Sequence, residues 1–215
     1  MIIIGEKING AIPSIKQAIA ERNEALIIER TLAQAAAGAN FLDCAPSTAT
    51  EIEYETMVWL IGLMQGATNV PLCIDSPNAK LLARVIEEGH LNKPGMVNSV
   101  NEEGDKCETI FPLIAGTPWE VVGLTCDQEG VPADPAKKVD IAKRIIDKAV
   151  RYGVSLNQLH IDPCVMALAH IFQSMLADQN RSAQFPVDSA QGLQKVRGRN
   201  WVQLAGRLVQ DQHIR

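Results

Sequence analysis

The stretch Leu72-Cys-Ile-Asp-Ser-Pro-Asn78 decides how the chain is read. Three apolar residues run into a carboxylate, Asp75, and a turn-forming Ser-Pro pair follows. The same sentence is written five more times. Ile2-Ile-Ile-Gly-Glu-Lys-Ile-Asn9 closes on Glu6 and Asn9, Asn40-Phe-Leu-Asp43 on Asp43, and Gly95-Met-Val-Asn98 on Asn98. Val121-Val-Gly-Leu-Thr125 closes on Thr125, and Leu159-His-Ile-Asp162 on Asp162. Continuous apolar runs of this length fit strands of a parallel sheet buried on both faces.

Helical patterns fill the gaps. Asn23 to Ala37 is alanine-rich and stops at Gly38. Thr50 and Glu53 are spaced as a capping box before a long apolar helix. Ser76-Pro77 reads as an N-cap with proline in the first turn of the next helix, and Asp134-Pro135 repeats the device. Ile141, Ile145 and Ala149 share one face of that last helix, and Gly153 is its C-terminal stop. A shorter helix is expected from Asn101 to Ala115, disturbed by Pro112. Strand and helix thus alternate in βα units, which predicts an α/β fold: an open doubly wound sheet or a (β/α)8 barrel of the TIM type. No GxGxxG follows the first strand, which speaks against a dinucleotide-binding sheet.

In such a barrel the functional site collects at the C-terminal ends of the strands. Glu6, Asn9, Asp43, Asp75, Asn98 and Asp162 are therefore expected around one mouth, and Ser76 beside Asp75. With Ser76 available as the cap, Asp75 is left to face the mouth. This set accepts and exchanges hydrogen bonds but holds no cluster of histidines. His160 alternates with Leu159 and Ile161 and reads as an ordinary strand histidine with a partner. A carboxylate accepts two parallel bonds from an amino group and an adjacent ring N–H, the edge that a pterin offers. A phosphate would want a glycine-rich loop or basic side chains, and Lys7 is the one cation beside the rim residues named.

The bulk properties bound the rest. With 215 residues, 47% of them hydrophobic, the chain can bury a sizeable core. A net charge of −5 argues against nucleic acid as partner. The opening residues do not read as a signal peptide. The run Met57 to Met64 is too short to span a bilayer, so a soluble cytoplasmic protein is expected. Five widely spaced cysteines, with no CxxC, argue against a disulfide framework. Cys44, Cys126 and Cys164 lie close to strand ends and leave a zinc–thiolate alternative open, although they lack close ligand spacing.

The motifs Ile2-Ile-Ile-Gly-Glu-Lys-Ile-Asn-Gly10, Leu42-Asp-Cys-Ala-Pro-Ser47, Leu72-Cys-Ile-Asp-Ser-Pro-Asn78, Met96-Val-Asn-Ser-Val-Asn101, Gly123-Leu-Thr-Cys-Asp-Gln-Glu-Gly-Val-Pro132 and Leu159-His-Ile-Asp-Pro-Cys-Val165 agree in order and spacing with one family. Over residues 1–169 the chain resembles the methyltetrahydrofolate:corrinoid protein methyltransferases, relatives of dihydropteroate synthase in the pterin-binding barrel superfamily. The resemblance implies a barrel, a homodimer, and no intrinsic metal. It implies 5-methyltetrahydrofolate as substrate and a cobalamin (corrinoid) carried by a partner protein, whose Co(I) exchanges the methyl group. Asp75, Asn98 and Asp162 match the family's pterin-binding residues and are the catalytic set. Glu6, Asn9, Asp43 and Ser76 complete the substrate-binding side. Two alternatives stay open: a folate- or pterin-binding module without turnover, and a dihydropteroate-synthase-like enzyme.

From His170 the pattern changes. The family's Gly-Gly-Leu-Ser-Asn-like segment, whose asparagine is thought to bond N5, finds no counterpart, and Asn200 sits in another context. Residues 170–215 are rich in glutamine, lack glutamate, and set Arg181, Lys195, Arg197, Arg199, Arg207 and Arg215 against Asp178, Asp188 and Asp211. They read as a divergent tail or the product of a disrupted frame. About six βα units are recognisable, so the barrel is expected to be incomplete.

Overall fold

The computed structural model describes residues 1–165. The expectations for the tail, Asn200 included, fall outside them. The fold below is that of one compact unit, Met1–Pro163.

Six strands, β1 (Ile4–Gly5), β2 (Phe41–Cys44), β3 (Leu72–Asp75), β4 (Met96–Glu102), β5 (Glu120–Asp127) and β6 (Leu159–Asp162), form one sheet in the order of the chain. Every neighbouring pair is parallel. The helices α1 (Pro13–Ala20), α2 (Glu24–Ala36), α3 (Thr50–Ala67), α4 (Ala79–Glu87), α5 (Lys106–Ile114) and α6 (Pro135–Tyr152) make the crossovers. The result is a curled half-barrel of the α/β class. Among the described residues β1 and β6 each have a single strand neighbour.

Side chains alternate across a strand, and two clusters show which way. Leu42, Cys44, Leu72, Ile74, Val97 and Val121 pack with helix residues such as Leu60, Leu82, Phe111 and Ile145 in the main core. Phe41, Cys73, Met96 and Val122, joined by Ile4 and Leu124, form a smaller cluster on the opposite, inner face. Both faces of the middle strands are largely buried, which is why they read as unbroken apolar runs, while β1 and β6 are half-buried.

Several local expectations hold. Asp134 caps α6 through the Ala136 N–H at 2.9 Å, and Gly153 ends it at φ 79°. Asn23 caps α2. Others are corrected. Thr50 and Glu53 form no capping box: α3 begins after Ala49 without a side-chain cap. Ser76 does not cap α4. Pro77 delays the helix, and Asn78 caps it by accepting from the Lys80 and Leu81 N–H groups at 3.1 and 3.2 Å. The helix expected from Asn101 starts only at Lys106, because β4 runs on to Glu102 beside a long β5. Pro112 lies inside that helix. Helix α1, opened by Pro13, carried no sequence signal strong enough to be expected.

Candidate functional site: the acid and amide rim

Parity places the rim residues. Asp43 is two residues beyond Phe41, Asp75 beyond Cys73, and Asn98 beyond Met96, so each shares the inner face with that cluster. Glu6 follows Ile4 in the same way. Leu159 and Ile161 pack against the main core, which turns His160 and Asp162 inward. Asp75 pairs in register with Asn98, and Leu124 with Asp162. Contrary to the expectation from the sequence, Asn98 does not end its strand, which runs on to Glu102. It is level with the end of β3, and a register shift follows it.

The first three strands bring their acids into electrostatic reach of one another. Asp43 is 2% exposed. Burial, then the charges of Asp75 and Glu6, push its carboxyl well above the usual carboxylate range, while Asn9 opposes the shift. The Asn9 amide donates to Asp43 Oδ2 at 3.5 Å, and Asp43 Oδ1 is a buried acceptor with no bonded partner among the described residues. A buried oxygen left so is costly, and a ligand N–H placed there removes the cost. Asn9 is fixed in turn: its Oδ1 accepts from the Ala11 N–H at 2.9 Å, and Gly10 lets the loop close on β2, where any Cβ would stand 2.0 Å from Pro46 O.

Ser76 lies elsewhere than expected. It is 3% exposed, and its hydroxyl donates to Glu53 Oε1 at 2.6 Å rather than facing the mouth. Glu53 was missed as a site-region residue. The signal was present: Glu53 falls on the same helical stripe as Met57, Leu60, Ile61 and Met64, a carboxylate at an apolar position.

The remaining expectations sort simply. His160 Nε2 meets Glu120 Oε2 at 2.5 Å, a satisfied strand histidine. Cys44 sits in the main core, and burial, then Asp43 and Asp75, push its thiol well up, which disfavours the thiolate that zinc needs. The backbone N–H of Lys7 donates to Gln34 Oε1 at 2.7 Å. Two surface clefts, about 300 and 260 Å³, lie beside β5 with α6 and beside α4 with α5. Glu102, Asp127, Lys137 and Arg144 line the first, and none of the rim residues lines either. The ions around the first are mutually paired: Glu102 meets both Arg144 and Lys148 at 2.9 Å. Burial opposes the charge on Lys148, but hydrogen bonds to Glu102 and Glu108 raise it to about 12.

A parallel, curled sheet whose strand ends present acids and an amide agrees with what sequence comparison finds. The model of the family described as pterin binding enzyme matches residues 13–189. The chain belongs to the pterin-binding enzyme family. That match continues past Ala169, where the motifs end. Among curated relatives of this pterin-binding chain, a methylcorrinoid:tetrahydrofolate methyltransferase of Eubacterium limosum is 46% identical over 183 residues, 83% of this chain and 67% of that protein. A methionine synthase of Mycobacterium tuberculosis is 28% identical over 176 residues, 79% of this chain and 15% of that protein. Among solved structures, dihydropteroate synthase from Xanthomonas albilineans in complex with 7,8-dihydropteroate superposes with a TM-score of 0.52 at 19% identity, covering 80% of this chain and 63% of that one. The last likeness is one of fold. The chain spans about two thirds of the methyltransferase and of the dihydropteroate synthase, and a small part of the methionine synthase. Among the described residues no helix is long and apolar enough to cross a membrane.

Proposed function

We propose that the chain binds the pterin ring of 5-methyltetrahydrofolate on its acid and amide rim. There it exchanges the N5 methyl with the Co(I) corrinoid of a partner protein, in one direction or the other. The observation that carries this is the in-register pair Asp75–Asn98 with Asp43 beside it on one inner face, in a chain 46% identical to a methylcorrinoid:tetrahydrofolate methyltransferase.

In this reading Asp75 accepts the amino group and ring N–H of the pterin as a parallel pair. Asn98 donates and accepts along the same edge, and Asp162 holds the far side from β6. Asp43, whose carboxyl its surroundings hold well above the usual carboxylate range, stands beside them, and Asn9 and Glu6 complete the first-strand side. The chemistry needs little more from the protein. A tertiary amine leaves poorly, so N5 must be protonated or strongly hydrogen-bonded before the methyl departs. A hydrogen-bond donor to N5 that tightens as the C–N bond breaks stabilises the transition state more than the ground state. Holding the ring still for an in-line approach supplies much of the remainder. The methyl passes as a cation equivalent to the two-electron nucleophile Co(I), and N5 keeps the C–N bonding pair together with the proton it received, giving tetrahydrofolate. The same reading makes the protein a cytoplasmic homodimer without a metal of its own.

A second reading, a pterin-binding module without turnover, has one observation behind it: the sequence holds no Gly-Gly-Leu-Ser-Asn-like segment. One experiment separates the two. The chain is titrated with 5-methyltetrahydrofolate, and Co(I) cobalamin is then added anaerobically. Loss of the Co(I) absorption and growth of the methyl–Co(III) spectrum is the result expected of the enzyme. Binding without spectral change supports the module, and no binding overturns both.

A further inference from the structure

We propose that Glu53 is a positioning residue for the pterin site, acting through Ser76 to hold Asp75 and Asn98 side by side. The proposal rests on the pterin reading above. Glu53 projects from α3, is 6% exposed, and sits on a stripe that otherwise buries Met57, Leu60, Ile61 and Met64. Its Oε1 accepts the Ser76 hydroxyl at 2.6 Å. That hydroxyl in turn accepts the Asn78 N–H at 3.0 Å. The Ser76 N–H donates to the Asn98 carbonyl at 3.1 Å. One serine therefore ties together a helix, the turn after β3, and β4.

The two residues so tied are the neighbours that matter. Ser76 follows Asp75 directly, and Asp75 is in register with Asn98. A free serine turn could place Asp75 in several rotations about the strand end. The bond to Glu53 removes that freedom before any ligand arrives, and preorganised acceptors bind with less ordering cost. An apolar residue at position 53 would satisfy the helix stripe but leave Ser76 without its acceptor. Glutamine keeps an acceptor oxygen of the same reach.

The test uses the full chain and two readouts. Amide hydrogen exchange without ligand reads the clamp, and titration with 5-methyltetrahydrofolate reads its consequence. Glu53→Ala should speed exchange at Ser76 and Asn78 by about tenfold while the amides of β2 stay protected, and weaken binding by about tenfold. Glu53→Gln should restore both. On an Asp75→Asn background Glu53→Ala should weaken binding no further, because the two act on one contact. Unchanged exchange in Glu53→Ala, or losses that add to those of Asp75→Asn, overturns the proposal. If Glu53→Ala does not fold, Ser76→Ala removes the donor with a smaller void and carries the same expectations. Faster exchange combined with Asp75→Asn binding that equals wild type leaves the clamp standing and removes the pterin reading instead.

Discussion

At the scale of single residues, the rim stores electrostatic cost that a ligand can relieve. Asp43 is the clearest case, because its carboxyl is raised by burial first and by Asp75 and Glu6 next. A carboxyl whose folded pKa exceeds its unfolded one contributes stability below the unfolded value and loses it as pH rises through the folded value. Wild type should therefore lose stability relative to Asp43→Asn as pH climbs above the ordinary carboxylate range. Urea unfolding of both proteins from pH 5 to pH 8 checks this, and a constant difference would contradict it. Asp75→Asn removes one acceptor of a charged pair, a loss of about 1.5–3 kcal/mol. Folate binding should weaken by about 10- to 100-fold, with a melting temperature unchanged within a few degrees. What was legible here follows from period 2: Asp43, Asp75 and Asn98 each stand two residues beyond an apolar inner-face residue. What was not legible is Ser76. A Ser-Pro pair before a helix resembles a cap, and only the fold shows that Glu53, more than twenty residues earlier, claims its hydroxyl.

At the scale of elements, the strand–helix alternation was readable because each buried strand is one continuous apolar run. The boundaries were less so. Asn98 looked terminal because it is the first polar residue of its run, yet β4 continues to Glu102, where Arg144 and Lys148 neutralise the extension. Such long-range pairs leave no trace in local pattern. Close backbone approach is equally hidden, and two glycines test it. At Gly95 a Cβ would stand 2.1 Å from Leu72 O, between β3 and β4, whereas Gly153 has open space but φ 79°. Gly95→Ala should cost about 3 kcal/mol and loosen Asp75 against Asn98. Gly153→Ala should cost about 1 kcal/mol and leave folate binding intact. Chemical unfolding paired with titration measures both, and equal costs would contradict the assigned difference.

At the scale of the molecule, the described residues make half of a barrel with two strands that each have one neighbour, and Ile2 and Ile3 beside β1 are exposed. Among the described residues these two edges have no further strand, and such edges invite pairing. Sedimentation should find the 23.4 kDa chain associated rather than monomeric, and a cooperative melt from a monodisperse monomer would count against that. The central claim is that acids and amides from separate strands converge on one flat nitrogen heterocycle. A crystal structure with bound tetrahydrofolate tests it most directly. The account predicts the pterin ring across the ends of β3, β4 and β6, with its amino edge on Asp75 and within reach of Asn98 and Asp162. A folate seated in the cleft of Glu102, Asp127 and Arg144, with the rim residues untouched, would contradict it.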